Sequence, residues 1–279
     1  MKNWILLLLL STGFLVRAQQ NMSCCSASAT ETFALLASDK AFKNSHEEPL
    51  PFVFQGEKGR PISFKASDGQ DAYGWEIRSA TPSGNYLFLI HEWWGLNDYI
   101  KKESEHLWNV LGNINVIALD LYDQKVAANR EDAAKYMGAI KTERAEAIIR
   151  GAIAYAGPKA KIYTIGWCFG GGWSLQASLL AGKQAAGCVM YYGMPEKDIE
   201  KLRTLQADVL GIFANKDQWI NEKMVDEFAA NMNKTGKRLI LKRYNADHGF
   251  ANPSAPNFDK NAKEEAFKAE LAFLKARIK

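Results

Sequence analysis

The stretch that most constrains how this chain can fold runs from Ile162 to Leu180, IYTIGWCFGGGWSLQASLL. An apolar, β-branched run ends at Gly166, Cys168 follows, then Gly170, Gly171 and Gly172, and then a helix-forming sequence. This reads as a buried strand turning sharply into a helix. Glycines flank the cysteine because side chains there would collide with the neighbouring backbone of so tight a turn. The thiol is left at the tip, beside the first amides of the helix, which favour an anion.

The rest of the chain repeats the same alternation of short apolar runs and longer amphipathic stretches, which argues for a mostly parallel sheet with helices on both faces, an α/β architecture. PISFKAS and DAYGWEIRS, joined at Asp68-Gly69, are expected to open it as a hairpin. Further strands are expected in YLFLI, NINVIALDLY, AAGCVMYYG, DVLGIFANKD and RLILKRYNADHG. Helices are expected through Leu107 and Leu111, from Arg130 to about Tyr155, from Glu222 to Asn233 and from Asn261 to Ile278. At 279 residues one large domain, 51–279, is favoured over two. Residues 19–50 are polar and mixed, and read as a tail with room for a short helix from Glu31 to Ala41.

Residues 1–18 carry Lys2, an apolar core from Trp4 to Val16 and the small residue Ala18, the parts of a secretory signal peptide cleaved after Ala18. An uncleaved anchor is the competing reading, against which the shortness of the apolar run counts. A lipoprotein signal at Cys24 ranks lower, because Asn21 stands where an apolar residue is needed. The expected location is therefore secreted or periplasmic. The net charge of +4, two of it in the leader, gives no sign of a nucleic-acid surface. Of the four cysteines, Cys24 and Cys25 lie in the tail with their redox state open, and Cys188 sits in an apolar run as a core residue. Cys168 alone has a setting that calls for chemistry.

In α/β-hydrolases a Gly-x-nucleophile-x-Gly turn exposes the nucleophile at the end of the sheet, and the acid and the histidine follow it in chain order, each after a later strand. Gly166-Trp167-Cys168-Phe169-Gly170 fits the turn, Asp217 follows the strand ending near Ala214, and His248 follows the strand ending near Tyr244. In that order His248 would take the proton of Cys168 and Asp217 would hold the imidazole tautomer.

With these residues in place, most of the chain from Pro51 to Lys279 resembles the dienelactone hydrolase family. The resemblance rests on Gly166, Cys168, Gly170 and Gly171, on HEWWG with Glu92 and Gly95, on DLY at Asp120 to Tyr122, on YYG at Tyr191 to Gly193, and on HGF at His248 to Phe250. It implies that Glu92 interacts with the resting thiol and helps to generate the thiolate, and that the backbone N–H groups of Trp93 and Phe169 form the oxyanion hole. Two arginines by which family members hold a substrate carboxylate have no match here. Asn252 stands at one position, and Asp123-Gln124-Lys125 follows DLY with no arginine before Arg130. Neither Asn nor a single Lys reproduces an arginine fork.

The aromatics Trp93, Trp94, Tyr122, Trp167, Trp219 and Phe250 fall near expected loop ends, and Trp94, Tyr122, Trp219 and Phe250 are expected to line an apolar pocket, while Trp173 is expected to pack the core. The function expected is hydrolysis of a small ester or lactone through a Cys168-His248-Asp217 triad and an acyl-enzyme. A thiolate does not fix its electrophile, so a thioester or carbon–halogen bond stays open, as does a ligand-binding protein on the same fold. No metal or organic cofactor is implied, since none of the four histidines shows ligand spacing with another ligand. The expected partner is a small molecule, with no nucleic acid, no membrane once the leader is removed, and a monomeric chain.

Overall fold

The computed structural model of the chain describes residues 28–278. The expected leader and cleavage site, Cys24 and Cys25 lie outside the described residues. Eight strands form one sheet: β1 (Arg60–Lys65), β2 (Asp71–Ile77), β3 (Asn85–Ile90), β4 (Asn115–Asp120), β5 (Lys161–Trp167), β6 (Ala185–Tyr191), β7 (Val209–Ala214) and β8 (Leu239–Tyr244). Their order is β1-β2-β4-β3-β5-β6-β7-β8. β2 runs antiparallel to both β1 and β4, and every other pairing is parallel. This is the α/β-hydrolase arrangement. β4 and β7 are buried along their whole length, as strands covered by helices on both faces must be. The opening hairpin turns at Gly69, whose φ of 82° suits only glycine without strain.

The core helices are α3 (Asp98–Leu111), α4 (Arg130–Ala139), α5 (Thr142–Ala156), α6 (Phe169–Ala181), α7 (Ile199–Thr204), α8 (Glu222–Lys234) and α9 (Lys260–Lys275). The single helix expected from Arg130 to Tyr155 is two, because the backbone turns extended at Ile140 and Lys141. Just before the break a Cβ on Gly138 would crowd Ala37, so the N-terminal segment packs against the end of α4.

That segment is not a free tail. It forms α1 (Ala29–Ala34), a single 3₁₀ turn, and α2 (Lys40–Asn44). Ser28 and Glu31 make a reciprocal capping box on α1, and Asp39 Oδ1 accepts from the amides of Ala41 and Phe42 on α2. Helices of six and five residues do not hold in water on their own. Burial of Phe33 and Phe42 holds these to the domain, Phe42 meeting Trp93 and Trp219 edge-on. Among the described residues no helix is long and apolar enough to cross a membrane.

Candidate active site

Parallel strands deliver their C-terminal ends to one edge of the sheet, and β3, β5, β7 and β8 each carry one candidate residue there. Cys168 follows β5 and caps α6 with φ 55° and ψ −118°, a conformation that costs a non-glycine residue roughly 1–3 kcal/mol. The surroundings enforce it. The Cys168 amide donates to the Tyr191 carbonyl at 3.0 Å, and the Cys168 carbonyl accepts from Gly171 at 3.0 Å. A Cβ on Gly166 would strike the Gly170 carbonyl, and one on Gly170 would strike the carbonyls of Ile90 and His91. The turn therefore closes only with glycine on both sides of the cysteine.

His248 Nε2 lies 3.2 Å from Cys168 Sγ, and its Nδ1 lies 2.6 Å from Asp217 Oδ2. The other Asp217 oxygen accepts from the amides of Trp219 and Ile220, each at 2.9 Å, so the carboxylate is aimed from both sides. Burial opposes a charge on Asp217, but His248 and those amides outweigh it and hold the carboxyl below its ordinary value. Burial also opposes a charge on His248, and there Asp217 and the Cys168 sulfur prevail, raising the imidazole well above its ordinary value. Burial pushes the Cys168 thiol up against the lowering influence of His248, and the Glu92 charge adds to the rise. In the neutral ring Nδ1–H donates to Asp217 and Nε2 accepts from the thiol, and in the imidazolium that these neighbours favour Nε2–H donates to the sulfur.

Glu92 follows β3. Burial pushes its carboxyl up to about 7, opposed by His248 and by a 2.6 Å hydrogen bond from Asn252 Nδ2. Asn252, at the position where an arginine is expected, thus anchors Glu92. His91, fully buried, donates from Nδ1 to the Glu92 carbonyl at 2.6 Å and accepts at Nε2 from the Leu121 amide at 3.2 Å, tying this loop to the end of β4. The Phe169 amide donates towards the Cys168 sulfur, and the Trp93 amide has no backbone acceptor among the described residues.

A further histidine enters from the N-terminal segment. His46 Nε2 lies 3.8 Å from Cys168 Sγ, and its Nδ1 lies 2.7 Å from the Phe42 carbonyl. A carbonyl only accepts, so Nδ1 carries the proton and Nε2 turns its lone pair to the sulfur. The sequence gives no spacing that links His46 to Cys168, 122 residues away. Cys168, His46 and His248 form the one group of three or more among the described residues whose His, Cys or carboxylate ligand atoms all lie within 4.8 Å of one another. With Phe42 packed against His248 at 5.9 Å, this segment covers the thiol, which is 2% exposed.

A cavity of about 210 Å³ opens beside Glu92, lined by Trp94, Trp167, Tyr192, Asn252 and Glu270 among others. Of the four expected pocket aromatics, Trp94 alone lines it. Tyr122 is buried against His91 and Phe169, Phe250 against Tyr192 and Tyr244, and Trp219 meets Phe42 and His248 edge-on. Trp173 is buried at 1% exposure, and Cys188 is a core residue whose thiol burial pushes up to about 11.

A strained cysteine at a strand–helix turn on this sheet defines a hydrolase of the α/β class. Residues 77–278 match the model of the dienelactone hydrolase family, and the chain belongs to that family. A relative in Saccharolobus solfataricus named "Putative carboxymethylenebutenolidase" is 31% identical over 252 residues, spanning 74% of this chain and 96% of its own. A carboxymethylenebutenolidase from a Pseudomonas species is 29% identical over 140 residues, 48% of this chain and 58% of its own. A solved structure of a dienelactone hydrolase-like promiscuous phosphotriesterase from metagenomic libraries superposes with a TM-score of 0.66 at 18% identity, covering 80% of this chain and 100% of the other. The protein is an ester or lactone hydrolase.

Proposed function

We propose that Cys168 is the nucleophile, that His248 and Asp217 complete a triad with it, and that hydrolysis of a small ester or lactone runs through an acyl-enzyme. One observation carries this reading. The His248 ring bridges Cys168 Sγ and Asp217 Oδ2 at 3.2 and 2.6 Å, with the sulfur held at the N-terminus of α6. The thiol proton passes to His248 Nε2, directly or by way of the Glu92 carboxylate, as the carbonyl arrives, and the sulfur attacks. The amides of Trp93 and Phe169 receive the oxyanion. Collapse breaks the bond to the leaving oxygen, which takes a proton from His248. Water, deprotonated by His248, then attacks the thioester and frees both the acid and the thiol.

The substrate side is drawn from the cavity beside Glu92. Its aromatic lining and the absence of an arginine at Asn252 favour a compact acyl group without an arginine-clamped carboxylate, and the cations in the lining are Lys102 and Lys263. The leader sequence adds export to the proposal, and N-terminal sequencing of the protein recovered outside the cytoplasm should begin at Gln19.

The test is pre-steady-state release of nitrophenol from p-nitrophenyl acetate by the wild-type protein and Cys168→Ala. A burst proportional to enzyme in the former and background release in the latter is expected. Equal release from both, with ligand affinity intact, would instead favour a binding protein.

A further inference from the structure

We propose that Cys168, His46 and His248 form a binding site for a soft or borderline divalent ion such as Zn²⁺, which holds the nucleophile in an inhibited state and clips the N-terminal segment over it. Tetrahedral zinc with a sulfur ligand at about 2.3 Å and nitrogen ligands at about 2.05 Å requires S···N separations of about 3.6 Å. The two separations here, 3.2 Å to His248 Nε2 and 3.8 Å to His46 Nε2, lie on either side of that value. The three ligand atoms lie within 4.8 Å of one another, and an ion bound by all three would draw the two Nε2 atoms to about 3.3 Å, a movement that falls to His46 on the N-terminal segment.

The atoms behind the ligands make the same case. Metal-binding histidines characteristically donate their other ring N–H to a carboxylate or a carbonyl, which fixes the tautomer and the ring plane. His248 Nδ1 has the Asp217 carboxylate at 2.6 Å, and His46 Nδ1 has the Phe42 carbonyl at 2.7 Å. A triad needs the first of these arrangements. It does not need the second, which leaves a lone pair of His46 facing the sulfur with no part in the hydrolysis proposed above. The ligand set, one thiolate and two imidazoles, suits zinc and leaves a fourth position for water.

Coordination forms an S–Zn bond and releases the thiol proton to solvent, one proton per ion. The sulfur electron pair that would attack a carbonyl is then held by the metal. Because His46 belongs to the segment carrying α2, the ion also ties that segment across the thiol, reversibly shielding it from electrophiles and oxidants.

The test uses the full chain with Cys24→Ser and Cys25→Ser, which removes a competing thiol pair, titrated with Co²⁺ as a spectroscopic probe and then with Zn²⁺. One Co²⁺ per chain with a thiolate-to-cobalt absorption band is expected, lost in Cys168→Ser and displaced by one equivalent of Zn²⁺. His46→Ala and His46→Gln should each weaken binding roughly tenfold or more, and His46→Cys should restore it. The cysteine rescue separates ligation from a packing role of the ring. No thiolate band, equal affinity in the His46 variants, or failure of His46→Cys to recover binding above His46→Ala would overturn the proposal. None of these readouts depends on whether the protein turns over an ester.

Discussion

Burial and two neighbours, the His248 ring and the Asn252 amide, set the charge state of Glu92. With its carboxyl pushed up to about 7, Glu92 can accept the thiol proton only above that pH, so kcat/KM for a small ester should rise through pH 7. Glu92→Gln should lose this limb and roughly 100-fold of kcat/KM. Asn252→Ala removes the hydrogen bond that favours the carboxylate, so the limb should move to higher pH. A profile of Asn252→Ala that superposes on wild type would show that Glu92 does not govern the limb. Of these residues, the placing of Glu92, Cys168, Asp217 and His248 was legible from motif and chain order. The new use of Asn252 was not, because an amide in place of an arginine tells only what is missing, and its partner lies 160 positions away.

At the scale of elements, the turn between β5 and α6 and the segment carrying α1 and α2 behave in opposite ways. The turn is packed backbone against backbone, so Gly170→Ala should cost roughly 1–3 kcal/mol or more in unfolding free energy, read from denaturant midpoints. The N-terminal segment is held by a few apolar anchors. Phe42→Ala forfeits roughly 3–5 kcal/mol of burial, more than two short helices can spare, so the segment should detach locally while the domain stays folded. Alkylation of Cys168 by iodoacetamide should then accelerate, with faster amide exchange confined to residues 28–46. An unchanged alkylation rate would mean that the segment does not guard the thiol. The strands and the larger helices could be read from apolar periodicity, whereas this segment reads as polar because only a few of its residues face the domain. The break at Ile140 was hidden for a similar reason, since it accompanies packing of Ala37 beside Gly138 rather than a proline or a strong helix breaker.

For the molecule as a whole, α9 is tied to β6 by a 2.6 Å hydrogen bond from the Tyr191 hydroxyl to Glu270 Oε2, while Glu270 Oε1 has no hydrogen-bond partner among the described residues. Burial, with Glu103 nearby, pushes the Glu270 carboxyl up to about 8, against the lowering influence of Tyr191. Between its ordinary value of 4.5 and about 8 the native state keeps a proton that the unfolded chain has released, so this group makes stability fall as pH rises across that window. Glu270→Gln should flatten that decline in unfolding experiments between about pH 5 and 8, and a decline of wild-type steepness in the variant would assign it to other groups. The same sheet that buries Glu270 collects four strand ends into one site, and the central claim is that the sulfur among them carries the acyl group. Its most direct test is acid quenching during turnover of p-nitrophenyl acetate, followed by peptide mass spectrometry. An acetyl group on the Cys168 peptide, absent in Cys168→Ala, is predicted, whereas turnover with no acyl adduct on Cys168 at any quench time would contradict the account.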